Sequence, residues 1–399
     1  MLTAAIVFTV TYVVVALGHF PGLRLDRTGA AVVGAAFMVA LRVVTPDEAY
    51  RLVDLGTLVL LFGMMVLVGH LKLAGFFRWA GASVARHAGT PHRLLAGLIA
   101  VSGVLSALFV NDTICLALTP LVLELAETLR IRPTPYLLAL ATASNIGSVA
   151  TLTGNPQNML IGVASQLPYA TFFSRLAPIA ALGLLLDFAV IALVYRRDLA
   201  PAFVSRPHPR VKVHGFLMAK GLAAAAVMLA FFFAGANLAV VALTTGAALL
   251  LTRRVKPEKV FLEINWNLLT LFAGLFVVVG AARQAGVADR IFAALHAGEV
   301  HSVASFSLVV AVLSNLVSNV PAVMLLAPLV PQLPDPQTAW LALAMASTLA
   351  GNLTLVGSIA NLIVAEGARK RAPLTFGEYL KVGVPVTVLT LLAGVLLLR

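Results

Sequence analysis

The sequence has little of what a soluble enzyme needs. Only 11% of its 399 residues are charged, against about 25% in a typical soluble domain, and 16 acidic residues face 28 Lys and Arg. A single cysteine, Cys115, excludes an internal disulfide and a thiolate cluster for a metal. No His-Glu-x-x-His, no Gly-x-Ser-x-Gly, no pair of intramembrane aspartates and no nucleotide-binding P-loop is present. Neither an intramembrane enzyme nor a self-contained ATP-driven pump has its residues, and no cofactor is expected. Met1 to Leu17 lacks a basic start and a small-residue cleavage site, so it is expected to remain as a helix.

What is abundant is apolar. Hydrophobic residues make up 60% of the chain and the mean hydropathy is +0.99. The apolar runs recur at a spacing suited to about ten helices in a bilayer roughly 30 Å thick, so the expected fold class is an all-α polytopic membrane protein. The net charge of +12 lies in short loops between these runs. There it reports orientation and contact with the lipid bilayer rather than nucleic acid.

Two runs, 94–131 and 302–331, are too long for one span and are interrupted by Asn111-Asp112-Thr113 and by Ser318-Asn319-Val320-Pro321. They read as helical, re-entrant hairpins whose ends return to one side. Two further runs, 134–165 and 336–366, carry polar breaks at Thr153-Gly154-Asn155-Pro156-Gln157-Asn158 and at Gly357-Ser358 with Asn361. Pro156 removes a backbone donor and disfavours helical geometry at Asn155. A broken helix in hydrocarbon costs several kcal/mol per freed group unless it lines a cavity or binds something.

Ser144, Gly154 and Asn158 precede Ser347, Gly357 and Asn361 by 203 residues, and Asn111 precedes Asn319 by 208. The near-constant offset marks a duplication, with repeats over 1–198 and 215–399 joined by a basic, proline-containing linker at 199–214. Counting each hairpin as no net crossing leaves five spans per repeat, so the second repeat must be inverted. Charge supports this. If the loops at 19–28, 72–93, 130–132, 196–220, 253–259 and 367–381 are cytoplasmic, they hold 22 of the 28 Lys and Arg. The expected place is the cell inner membrane, with both termini away from the cytoplasm. Segments 74–89 and 284–298 read as interfacial amphipathic helices.

Broken helices at matching places of two inverted halves point to a transporter's midplane site. Half-helix N-termini suit an anion or oxyacid, while carbonyls, amides and hydroxyls suit Na⁺ or a polar neutral solute. The candidate substrate or ion site comprises Asn111, Asp112, Thr113, Ser144, Asn145, Thr153, Gly154, Asn155 and Asn158 in the first half. Ser318, Asn319, Gly357, Ser358 and Asn361 complete it in the second. No Lys or Arg lies in either break, which disfavours a substrate needing a bidentate arginine clamp. Asp112, in a hairpin tip, and Asp187, inside a leucine-rich run, are the candidate proton or ion couplers; a helix cap is the other reading of Asp112. His70 and Glu366 read as interfacial, and Cys115 as packing.

At Asn111-Asp112-Thr113 with Leu118-Thr119-Pro120, at Asn319-Val320-Pro321 and at Val356-Gly357-Ser358-Ile359-Ala360-Asn361, the chain resembles the ion transporter superfamily. Within it the resemblance is to the branch of arsenite permeases, NhaD-type sodium/proton antiporters and citrate-type permeases. The Ser-Asn-Thr signature of the sodium-dicarboxylate relatives is not kept, since Ile146 follows Ser144-Asn145 and Asp112 follows Asn111. The resemblance implies two inverted five-span repeats, re-entrant hairpins that move against a scaffold, and a homodimer. The expected function is secondary active transport of a small anion or oxyacid coupled to H⁺ or Na⁺, with arsenite or antimonite efflux as its sharpest form. Na⁺/H⁺ antiport and a passive anion channel are the alternatives.

Overall fold

The computed structural model describes residues 1–18, 24–200, 211–252, 254–287 and 302–398, and among them the chain is helical with no strand. A first series runs α1 (Leu2–Leu17), α2 (Arg27–Ala40), the short α3 (Pro46–Leu52), α4 (Leu55–Leu73), α5 (Phe76–His87), α6 (Pro91–Leu108), α7 (Asn111–Leu129), α8 (Thr134–Ser148), α9 (Pro156–Ser165) and α10 (Tyr169–Val194). A second series follows the same order: α11 (Gly215–Phe233), α12 (Leu238–Leu250), the short α13 (Pro257–Phe261), α14 (Trp266–Gln284), α15 (Val303–Val317), α16 (Asn319–Leu326), α17 (Pro336–Ala350), α18 (Ile359–Ala368) and α19 (Phe376–Leu398). After α16 the chain tightens into a 3₁₀ segment, Ala327–Gln332, which holds Pro328 and Pro331. The interfacial segment expected at 74–89 is α5; most of the one expected at 284–298, and most of the linker, lie outside the described residues.

Among the described residues, six helices, α4, α6, α10, α11, α14 and α19, are long and apolar enough to cross a membrane, fewer than the ten the apolar runs suggested. The difference comes from caps and breaks that stop helices early. At 1.5 Å per residue, the 14 residues of α2 reach about 21 Å and the 13 of α12 about 20 Å. Matched caps set their starts: Asp26 accepts from Gly29 N (2.8 Å) and Asn237 from Val240 N (3.1 Å). Likewise Asp54 caps α4 through Thr57 N (3.0 Å) and Asn265 caps α14 through Leu268 N (3.1 Å). In both pairs the capping residues are 211 apart in the sequence.

Packing crosses between the series. Helix α4 lies on α12, and α2 lies on α14. Gly63 meets the backbone of Ala242 so closely that a Cβ would collide with its carbonyl, and a Cβ on Gly274 would sit 2.7 Å from the carbonyl carbon of Ala31. These two contacts are again 211 residues apart on each side. At the centre, every residue of α8 is buried, as is α17 from Ala339 to Ala350. Helix α6 packs on α8 and α15 on α17, seating each hairpin on the first half of its broken helix.

On the outside, α10 and α19 run antiparallel. Arg175 Nη2 donates to Leu398 O (3.4 Å) at one end, and Arg132 bridges Asp198 (3.5 Å) and Glu378 (2.5 Å) at the other. Their outer faces expose Leu185, Leu193, Leu392 and Leu396, as a lipid-facing surface requires.

Candidate functional site

The breaks in the two inner helices occur where the residue types demand them. Helix α8 ends at Ser148 and α9 begins at Pro156, a residue suited to a first helical position because its missing N–H would be unpaired there anyway. Asn155 caps α9 by accepting from Asn158 N (2.9 Å), and Ser358 caps α18 by accepting from Ala360 N (3.2 Å). Each break is then tied shut by one asparagine. Asn158 Nδ2 donates to Ser148 O (3.1 Å) and Thr151 O (2.9 Å); Asn361 Nδ2 donates to Gly351 O (2.8 Å) and Thr354 O (3.2 Å). All three pairs of matched positions are 203 apart, so the same knot is tied twice.

Asn145 joins the halves. Its Oδ1 accepts from Asn111 Nδ2 (3.0 Å) and from Ser358 Oγ (3.0 Å). Its Nδ2 donates to Asn352 Oδ1 (2.8 Å) and Asn361 Oδ1 (3.1 Å). A carboxamide has two donors and two acceptor positions, and here all four are used, toward the first hairpin tip and the second break. A parallel tie runs from Asn155 Nδ2 to Ser148 Oγ (2.8 Å) and Thr348 Oγ1 (3.2 Å), with Gln157 Nε2 also reaching Thr348 Oγ1 (3.3 Å). The backbone of the hairpin tip joins in, because Asn111 N donates to Gly154 O (3.0 Å). Gly154 must lack a side chain, since a Cβ would overlap Ser148.

Around this network several oxygens are buried without a partner: Asn111 Oδ1, Asn158 Oδ1, Asn315 Oδ1 and Asn319 Oδ1. Each of the four is an acceptor, and among the described residues no charged side chain enters the network. The unmet demand is therefore for hydrogen-bond donors or a cation.

The fold brings most of the expected residues together. Asn111, Asn145, Asn155, Asn158, Ser358 and Asn361 are in the network, Gly154 and Gly357 shape it, and Asn319 borders it from the second hairpin. Ser318 holds that second tip at φ 76°, a left-handed conformation unusual for serine. Two others face elsewhere: Thr153 Oγ1 pairs with Tyr169 OH (3.1 Å), and Ser144 Oγ with Cys115 Sγ (3.0 Å). Asp112 does not cap α7, whose N-cap is Val110; with Thr113 it lines a cavity outside the network. His70 is buried in α4, while Glu366 is exposed and pairs with Arg369. Ser148, Thr348 and Asn352 were missed. Asn352, set beside Gly351 in an apolar run, was the available signal.

Two cavities flank the network and are built from matched positions. The smaller, about 100 Å³, is lined by Met65, Val68, Gly69 and Lys72 of α4, by Asp112, Thr113 and Leu116 of α7, and by Glu263, Asn265 and Ile363 among others. The larger, about 530 Å³, is lined by Phe276, Val279, Gly280 and Arg283 of α14, with Leu52, Asp54, Leu160 and Met324. The α4 and α14 residues correspond one to one at 211, as do Asn265 with Asp54 and Glu263 with Leu52. The two cavities differ at one decisive place. Lys72 Nζ pairs with Glu263 at 2.5 Å across the smaller cavity, whereas the matching Arg283 has only Leu52 at that position.

The model of the citrate transporter family matches residues 6–350. Among curated proteins, the chain is 30% identical to the silicon efflux transporter LSI3 of Oryza sativa subsp. japonica, over 98% of this chain and 96% of that one. It is 31% identical to an uncharacterized transporter of Mycobacterium tuberculosis (97% and 95% covered) and 26% identical to a transporter named arsB in Dictyostelium discoideum (94% and 87% covered). Among solved structures, the YdaH transporter of Alcanivorax borkumensis, described as having an unusual topology, superposes with a TM-score of 0.58 at 16% identity, covering 100% of this chain and 96% of that one.

Proposed function

This chain belongs to the citrate transporter family, and on that premise we propose that it is a secondary active transporter of a small oxyacid, coupled to H⁺ or Na⁺. It is a multi-pass membrane protein and not an enzyme. The observation that carries the reading is the set of partnerless carboxamide oxygens on Asn111, Asn158, Asn315 and Asn319 around two broken helices, with no cationic side chain among them.

A tricarboxylate presents only acceptors and negative charge, so it would meet like groups there and leave them unpaired. An undissociated oxyacid such as silicic or arsenous acid is small, uncharged near neutral pH and presents several O–H donors. The printed name of the rice relative, a silicon efflux transporter, agrees with that class. Solute passage follows from the matched cavities: the larger leads in from the Arg283 side, and the Lys72–Glu263 pair holds the smaller one shut. Exchange of these roles between equivalent positions would expose the site to the other face. Lys and Arg placement assigns the Lys72 side to the cytoplasm and both termini to the opposite face of the cell inner membrane. Asp112, in the wall of the smaller cavity, is the coupling carboxylate of this pathway.

Purified protein in proteoliposomes, offered silicic acid, arsenite or citrate under an imposed pH or Na⁺ gradient, tests the reading. The oxyacids should move and citrate should not, with flux lost in Asn145→Ala and proton or Na⁺ dependence lost in Asp112→Asn. Uptake of citrate alone would contradict it. The same four oxygens would also ligate Na⁺, which makes Na⁺/H⁺ exchange the second reading; uptake of radiolabelled Na⁺ against a proton gradient with no oxyacid present would favour it.

A further inference from the structure

A second buried polar cluster lies behind the Asn145 network, at the seam between α8, α10 and α19. Asp187, midway along α10, is fully buried, and neither carboxyl oxygen has a hydrogen-bond partner. The antiparallel register places it. Gly183 packs on Thr390, where a Cβ would sit 3.3 Å from Thr390 Cγ2. One turn further along α10, Asp187 therefore faces the stretch of α19 between Gly383 and Thr387. Two more buried polar atoms there lack partners, Tyr379 OH and Thr387 Oγ1.

The groups acting on Asp187 are few. Thr142 of α8 and Tyr379 of α19 are the polar side chains that reach it, and no charged residue among those described does. Helices α6, α11 and α17, which also pack on α10, bring no ionisable group to it. Thr142 commits its hydroxyl proton to Leu138 O (2.8 Å), so toward Asp187 it can only accept.

An ionised carboxylate here would be buried in a membrane protein with no cation among the described residues and only the uncommitted hydroxyls of Tyr379 and Thr387 as donors, which costs several kcal/mol. The protonated acid fits instead. Its O–H would donate to Thr142 Oγ1 and its carbonyl would accept from Tyr379 OH, leaving no net charge. Asn352 links this cluster to the solute network: its Nδ2 donates to Thr142 O (3.2 Å), its Oδ1 accepts from Asn145 (2.8 Å), and its own carbonyl lies where a Cβ on Gly383 would be.

We propose that Asp187, Thr142, Tyr379 and Thr387 form a proton-binding site, and that Asn352 couples its occupancy to the Asn145 network. The coupling half of this proposal rests on the solute reading given above; the proton site itself does not.

Infrared spectroscopy of the protein in liposomes tests both halves. The C=O stretch of a protonated carboxyl group should be present in the wild type near neutral pH. It should be retained in Asp112→Asn, lost when Asp187→Asn is added to that variant, and shifted in frequency in Tyr379→Phe, which removes one hydrogen bond and no charge. Tyr379→Phe also serves if Asp187→Asn does not fold. Absence of the band, its survival in the variant carrying both Asp112→Asn and Asp187→Asn, or a carboxylate stretch that responds to Na⁺ instead would overturn the site. Adding silicic acid or arsenite should shift the band in the wild type and leave it unmoved in Asn352→Ala. An equal shift in both would overturn the coupling route. A band that is present but unmoved by either solute in the wild type would count against the solute reading and its coupling, with the proton site intact.

Discussion

Asn158 and Asn361 show how much a single carboxamide can hold. Each gives both of its N–H groups to two carbonyls of its own break, so truncation strands two buried acceptors at about 1–3 kcal/mol apiece. Asn158→Ala and Asn361→Ala should each lower thermal stability in detergent by a similar amount, on the order of 2–6 kcal/mol, because the knots are equivalent. A large loss in one and none in the other, measured by thermal unfolding, would break that equivalence. Polar residues of this kind were legible in the sequence because an asparagine deep in an apolar run needs a reason, and a second one at a fixed offset supplies it. Thr348 and Asn352 were less legible: Thr348 matches Asn145 without being an amide, Asn352 matches Val149 and so has no echo in the other half, and only the fold brings both to the network.

At the scale of elements, caps and close crossings decide the architecture. The hairpins and broken helices could be located from the chain because proline, glycine and amide runs interrupt hydrophobic stretches visibly. The crossings of α4 on α12 and α2 on α14 could not, since Gly63 and Gly274 lie in uniformly apolar sequence and only contact reveals their purpose. A methyl at either would press on backbone that cannot swing aside. Gly63→Ala and Gly274→Ala should each destabilise by about 1–3 kcal/mol. Gly89→Ala and Gly377→Ala, with nothing nearby for a Cβ to meet, should stay within about 0.5 kcal/mol of wild type. Thermal unfolding of the four variants checks the contrast, and equal effects would mean that the crossings tolerate separation. The length of the short helices was also beyond the sequence, because Asp26 and Asn237 had no visible role as caps until the chain was folded.

For the whole molecule, the central claim is that one duplicated architecture offers two equivalent routes to one site and opens them in turn. The larger cavity and the ion-paired smaller one are lined by matched positions. Replacing Glu263 by Leu gives the smaller cavity the residue its counterpart already has, and so should release its latch. The most direct measurement places a cysteine at Leu160 or at Ile363, matched positions one in each cavity, in a Cys115→Ser background. Each is then labelled with a membrane-impermeant thiol reagent from one face of the membrane at a time. Leu160→Cys should react from the non-cytoplasmic face, Ile363→Cys only weakly and from the cytoplasmic face, and Glu263→Leu should raise the second at the expense of the first. Labelling of both positions from the same face would contradict the account.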